Sequence, residues 1–172
     1  MKTLFIFASL LLLISCKPEP KKQLQYADVN TSSNEVVHLT DAADAYFSME
    51  EVVEMNKGKV IYVNFFNSFT PVELMRAVEA LEKKFDAKDF VIVNIITDTA
   101  MLPFENHVAK TTLQHNYLAR NFPEAQFYTD HDFQTIPRYM IYGKEGQVLD
   151  DNAMRPDEVL LESTLQTLIN QE

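Results

Sequence analysis

Two short runs, Val60–Phe66 and Phe90–Ile96, are almost wholly apolar and dense in β-branched and aromatic residues. Runs of that length and make-up predict central strands buried on both faces. Between them the pattern changes period. Over residues 70–85, Leu74, Ala77, Val78, Leu81 and Phe85 recur at helical spacing and form one apolar stripe. Thr70 is placed to be the N-cap of that helix, Pro71 suits its first position, and Glu73 closes a Thr-x-x-Glu capping box. Phe69 and Leu74 are spaced as a hydrophobic staple. Glu79 and Lys83 are spaced as an ion pair on the wet face.

The same reading extends outward. Residues 36–39 predict a short strand. Ser48 and Glu51 form a second capping box, opening a short helix through Val52, Val53 and Met55 that stops near Gly58. Residues 104–118 predict a helix with a less regular stripe, and 119–135 show several aromatics without a period. Arg138–Tyr142 reads as a strand, Lys144-Glu145-Gly146 as a turn, and 147–149 as the returning strand of a hairpin. Pro156 is expected to open a last helix carrying Val159, Leu160, Leu161, Leu165, Leu168 and Ile169. The order from Val60 onward is β-α-β-α-β-β-α. Strand–helix–strand units imply parallel neighbours and the hairpin adds an antiparallel edge. The expected fold class is therefore α/β, a central mixed sheet flanked by helices.

The N-terminus has a different character. After the basic Lys2, residues 4–14 are apolar apart from Ser9. That is shorter than the roughly 20 residues a spanning helix needs and suits the core of a secretory leader. It ends in Leu13-Ile14-Ser15-Cys16, which resembles a bacterial lipobox; the resemblance implies that Cys16 is lipidated and becomes the mature N-terminus. The expected organisation is a lipoprotein signal peptide at 1–15, a lipidated cysteine with a tether rich in proline and charge at 16–34, and one domain at 35–172. Such a chain is anchored to a membrane through its N-terminal lipid rather than spanning it.

Composition narrows the chemistry. The 172 residues carry a formal net charge of −10, which disfavours a phosphate backbone as partner, so no nucleic acid is expected. Cys16 is the one cysteine, so neither a disulfide framework nor a pair of thiols exists within a single chain. His38, His107, His115 and His131 show no metal-ligand spacing, and Asp130, Asp132, Asp150 and Asp151 no calcium-loop spacing; neither metal nor cofactor is expected. Asp98, after the second apolar strand, lies where α/β folds place functional groups.

Three segments carry a resemblance to a known family: Gly58-Lys-Val-Ile-Tyr-Val-Asn-Phe-Phe66, Thr135-Ile136-Pro137-Arg138-Tyr139-Met140-Ile141-Tyr142 with Gly146 after it, and Ala153-Met154-Arg155-Pro156. In this order and spacing they resemble the membrane-tethered, TlpA-like branch of the thioredoxin superfamily (a redoxin), over roughly residues 48–170. The resemblance implies a thioredoxin-like fold, a cis peptide bond at Ile136-Pro137, and a position in the bacterial cell envelope facing the periplasm. It also aligns the family's tryptophan-cysteine-glycine-proline-cysteine with Phe69-Thr70-Pro71-Val72-Glu73. Both thiols are absent there. Thiol–disulfide exchange needs an attacking thiolate, which neither a hydroxyl nor a carboxylate can replace. The segment Phe69-Thr70-Pro71-Val72 also resembles a peroxiredoxin motif, in which Glu73 would stand in place of the peroxidatic cysteine.

The resulting expectation is a redox-inactive protein, with no catalytic residues among the degenerate positions Thr70, Pro71, Val72 and Glu73. It would bind a peptide or protein partner through Phe69, Thr70, Pro71, Ile136 and Pro137. The alternatives are an enzyme of the superfamily with non-thiol chemistry on Thr70, Glu73 and Asp98, an oxidoreductase relative by descent, or a structural scaffold.

Overall fold

The computed structural model describes residues 22–171. The leader, Cys16 and the first part of the tether lie outside them. A seven-stranded mixed sheet forms the centre, in the order β2-β1-β5-β4-β3-β6-β7. Its strands are β1 (His38–Thr40), β2 (Tyr46–Ser48), β3 (Val60–Phe66), β4 (Phe90–Ile96), β5 (His115–Ala119), β6 (Arg138–Tyr142) and β7 (Val148–Asp150). The helices are α1 (Met49–Met55), α2 (Val72–Glu82), α3 (Met101–Val108), α4 (Gln126–Asp130) and α5 (Leu161–Asn170). β3, β4 and β5 run parallel, while β6 returns antiparallel to β3.

Alternation along the strands distributes the core. Ile61, Val63 and Phe65 meet α1 and α4 on one face, through Val52, Val53 and Tyr128. Val60 and Tyr62 meet α2 and α5 on the other, through Val78, Leu81, Leu161 and Leu165. A third cluster, Phe66, Ile96 and Leu118 against Phe104, seats α3 on that second face. Burying one such side chain contributes about 1.5–3 kcal/mol, so β3 and β4, buried at every position, anchor the fold.

Several expectations need correction. Residues 104–118 are not one helix: α3 ends at Val108 and β5 begins at His115. Thr111 and Thr112 follow the last turn, and β-branched residues lose rotamer freedom in a helix. Beyond them, β5 finds partners in β4 and β1. The last helix does not open at Pro156. Arg155 and Glu158 close a turn instead, with the Glu158 carboxylate accepting from the Arg155 amide at 2.8 Å. Val159 and Leu160 are consequently exposed rather than core residues. Glu79 does not pair with Lys83; it accepts from the Thr111 hydroxyl at 2.9 Å. Within the stretch read as tether, Tyr26 donates to Asp44 and Tyr46 to Leu24 through their backbones, and Arg120 lies over the Tyr26 ring. The folded body therefore extends back to about residue 23 and covers the β2 edge.

Candidate functional site

The parallel strands β3 and β4 end side by side, the position at which α/β sheets present functional groups. Their following loops are tied together. Thr97 donates from both its amide and its hydroxyl to the Phe66 carbonyl, at 2.8 and 3.1 Å. One residue later, Asp98 accepts from the Ser68 amide and the Ser68 hydroxyl, each at 2.8 Å. A carboxylate gripping both donors of one residue fixes the loop that follows β3.

The loop also closes on itself. Asn67 accepts from the Phe69 amide at 3.0 Å, and its own amide donates to the Thr70 hydroxyl at 3.2 Å. This turn sends the Phe69 ring outward, 90% exposed. Phe69 is therefore neither core nor a staple on Leu74. The expected capping box fails for the same reason. Thr70 is turned toward Asn67, Pro71 occupies the N-cap position of α2, and no side chain caps that helix. At α1 the identical pattern does close, Ser48 and Glu51 bonding reciprocally at 3.1 and 2.9 Å.

Thr70 and Val72 border a cleft of about 440 Å³ that lies between α2 and α3. Pro71 and Glu73 are exposed beside it. The Ile136–Pro137 peptide bond is cis. The pairing of Phe65 with Arg138 places Pro137 at the same end of β3, next to the Phe69 loop. Ile136 packs into the core on the α1 and α4 face. The sequence-derived residues thus gather at one end of the sheet, and of them Thr70, Val72 and Asp98 reach the cleft. Thr70, Glu73 and Asp98 form no hydrogen-bonded unit among the described residues, since Thr70 bonds Asn67 and Asp98 bonds Ser68. No group of three histidine, cysteine or acidic side chains is placed to hold a metal among those residues.

Two features escaped the sequence reading. Asn64, Asn94 and Asn116 occupy matching positions on three adjacent strands and are all buried. Asn64 donates to Asn94 at 3.0 Å. The row separates the apolar cluster under α2 and α5 from the one under α3. For two of the three, the signal was a single asparagine at the fifth position of each apolar run, Val60–Phe66 and Phe90–Ile96; Asn116 is the second residue of β5 and had no such signal. The second feature is His107, in the cleft wall. Asn116 donates to the Leu113 carbonyl, so its amide oxygen faces His107 Nε2 at 3.2 Å and assigns the ring proton to that nitrogen. Burial lowers the His107 pKa; the Asn116 bond and Glu79 oppose it with smaller effect.

The architecture has counterparts among solved structures. A crystal structure of a candidate thiol-disulfide oxidoreductase from Bacteroides vulgatus matches at 20% identity and TM-score 0.65, covering 77% of this chain and 92% of that one. The chain has the thioredoxin fold. A candidate thiol:disulfide interchange protein DsbE from Chlorobium tepidum matches at 15% identity and TM-score 0.61, over 78% and 94% of the two chains. The exposed lipoprotein thioredoxin of Streptococcus pneumoniae matches at 17% identity and TM-score 0.54, over 77% and 99%. No family model and no curated protein sequence matches. The neighbours share this fold, and this chain has one cysteine, Cys16, outside the described residues. No helix of the described residues is long and apolar enough to cross a membrane.

Proposed function

We propose that this is a thioredoxin-fold lipoprotein of the bacterial cell envelope that binds an extended peptide or partner protein without thiol chemistry. The observation that carries the reading is the loop at the end of β3. Its carboxylate–serine tie and internal turn hold it rigid, it presents Phe69 to solvent, and it contains no sulfur. A large exposed aromatic on a fixed loop is the kind of group that anchors interfaces. Pro137 lies at the same end of the sheet, just before β6, where an extended partner would meet the backbone. The envelope address rests on the lipobox-like Leu13-Ile14-Ser15-Cys16 and is in keeping with the pneumococcal neighbour, itself an exposed lipoprotein.

The test is a library of extended peptides screened against the purified protein. Selected peptides are expected to lose about tenfold in affinity, about 1.4 kcal/mol, on Phe69→Ala or Pro137→Ala. Phe69→Ala should leave stability within about 0.5 kcal/mol, because an exposed ring loses little packing. Peptides that bind both variants as tightly as the native chain would refute the assignment of this surface.

A further inference from the structure

We propose that the cleft between α2 and α3 binds a small organic carboxylate with an apolar body. Its volume of about 440 Å³ lies within the usual range of small-molecule sites, roughly 300–1,000 Å³. The floor is apolar: Phe66 and Ile96 are buried core residues whose edges border the cleft, with Met75 and Pro103 beside them. The polar groups are unevenly committed. Glu79 accepts from Thr111 and Thr112, and Asp98 accepts twice from Ser68, so both carboxylates are engaged within the protein. Arg76 on α2 and Lys110 just beyond α3 face the same space, and neither forms an ion pair among the described residues.

The lining balances two acidic and two basic side chains, but the acids already accept hydrogen bonds from the protein, whereas the Arg76 and Lys110 donors have no acceptor among the described residues and are open to a ligand. An arginine fork suits a carboxylate in bidentate fashion, and a lysine adds a point charge. The formal charge of −10 on the whole chain does not overrule this. Charges more than about 10 Å away are largely screened at 0.1 M salt, whereas the two cations would touch the ligand. The apolar floor asks for a hydrocarbon body behind the carboxylate, a demand inorganic phosphate does not meet. This inference is independent of the peptide-binding reading, because Arg76, Lys110 and the floor lie outside the surface assigned to the peptide.

The experiment titrates the purified protein with hexanoate, phenylacetate, hexanamide and inorganic phosphate, followed by calorimetry and by amide chemical shifts. Saturable binding of at least one of the two carboxylates is expected, with shifts centred on Ser68, Thr70, Arg76 and Lys110. Arg76→Gln and Lys110→Gln should each weaken it by about tenfold, the effect of removing a charge-assisted bond worth about 1.4 kcal/mol. Both substitutions are at exposed positions, and an unchanged melting temperature verifies that the variants are folded. Four outcomes would each overturn the proposal: no saturation by either carboxylate at about 10 mM, a concentration typical of weak millimolar sites; hexanamide binding as well as hexanoate; phosphate binding as tightly as the carboxylates; or variants that bind like the native chain.

Discussion

Asp98 and His107 show how single side chains set the character of the cleft. Asp98 carries the two hydrogen bonds that hold Ser68, and removing it leaves an amide and a hydroxyl to water. Because Ser68 is exposed, the loss is modest: Asp98→Ala should cost about 1 kcal/mol in urea unfolding. The same substitution should raise amide exchange at residues 67–70, since the loop's main tether to β4 is gone. His107 acts through burial. Its folded pKa lies below the ordinary 6.5, as does that of His115, which burial and the nearby Lys59 charge lower. The unfolded chain then binds more protons than the folded one as pH falls through that range. Stability attributable to these rings is complete above about pH 6.5 and is lost as pH falls toward their folded values. Denaturant midpoints measured from pH 7.5 to 5 should decline, and His107→Gln should flatten part of that decline. A decline unaltered by His107→Gln would show that the ring is not buried as described.

At the scale of elements, the asparagine row makes a sharp energetic claim. Asn64 and Asn94 satisfy one another in a buried site, while Asn64 Oδ1 and Asn94 Nδ2 have no protein partner. Asn64→Leu alone strands the Asn94 carbonyl and should cost about 1–3 kcal/mol. Asn64→Leu with Asn94→Leu removes both partners, fuses the two apolar clusters, and should be near neutral or stabilising. A double-mutant cycle in urea tests this, and additive losses would contradict it. Elements also divide by how legible they were. β3, β4, α2 and β6 were readable because their apolar pattern reports burial directly, and the exposed β7 because the Lys144-Glu145-Gly146 turn precedes it. The Ser48 and Thr70 capping patterns looked alike, yet only the first closes; Asn67, three residues upstream of Thr70, competes for its hydroxyl. β5 was hidden because its strand character comes from two long-range partners, β4 and β1, and not from its own five residues. The cleft was illegible for a similar reason. Its walls, α2 and α3, meet only once β5 has placed α3 on that face of the sheet.

For the whole molecule, the thioredoxin fold and thiol chemistry place separate demands on the chain. The thioredoxin framework needs buried strands, helices on both faces and short ties between loops, all of which this chain supplies with ordinary side chains. Thiol–disulfide exchange needs a thiolate and a partner sulfur, whereas Cys16 is the one cysteine of this sequence; under the proposed function, Thr70 and Glu73 stand at the positions of the missing pair. The two demands fall on different residues, so one can be kept while the other is lost. This separation is tested most directly by dithiothreitol-coupled insulin reduction, measured for the native protein, for Cys16→Ser, and for Cys16→Ser with Thr70→Cys and Glu73→Cys added. The account predicts rates equal to the reagent blank for the first two and a rate above it for the third. Insulin reduction by the native protein or by Cys16→Ser above that blank would contradict it.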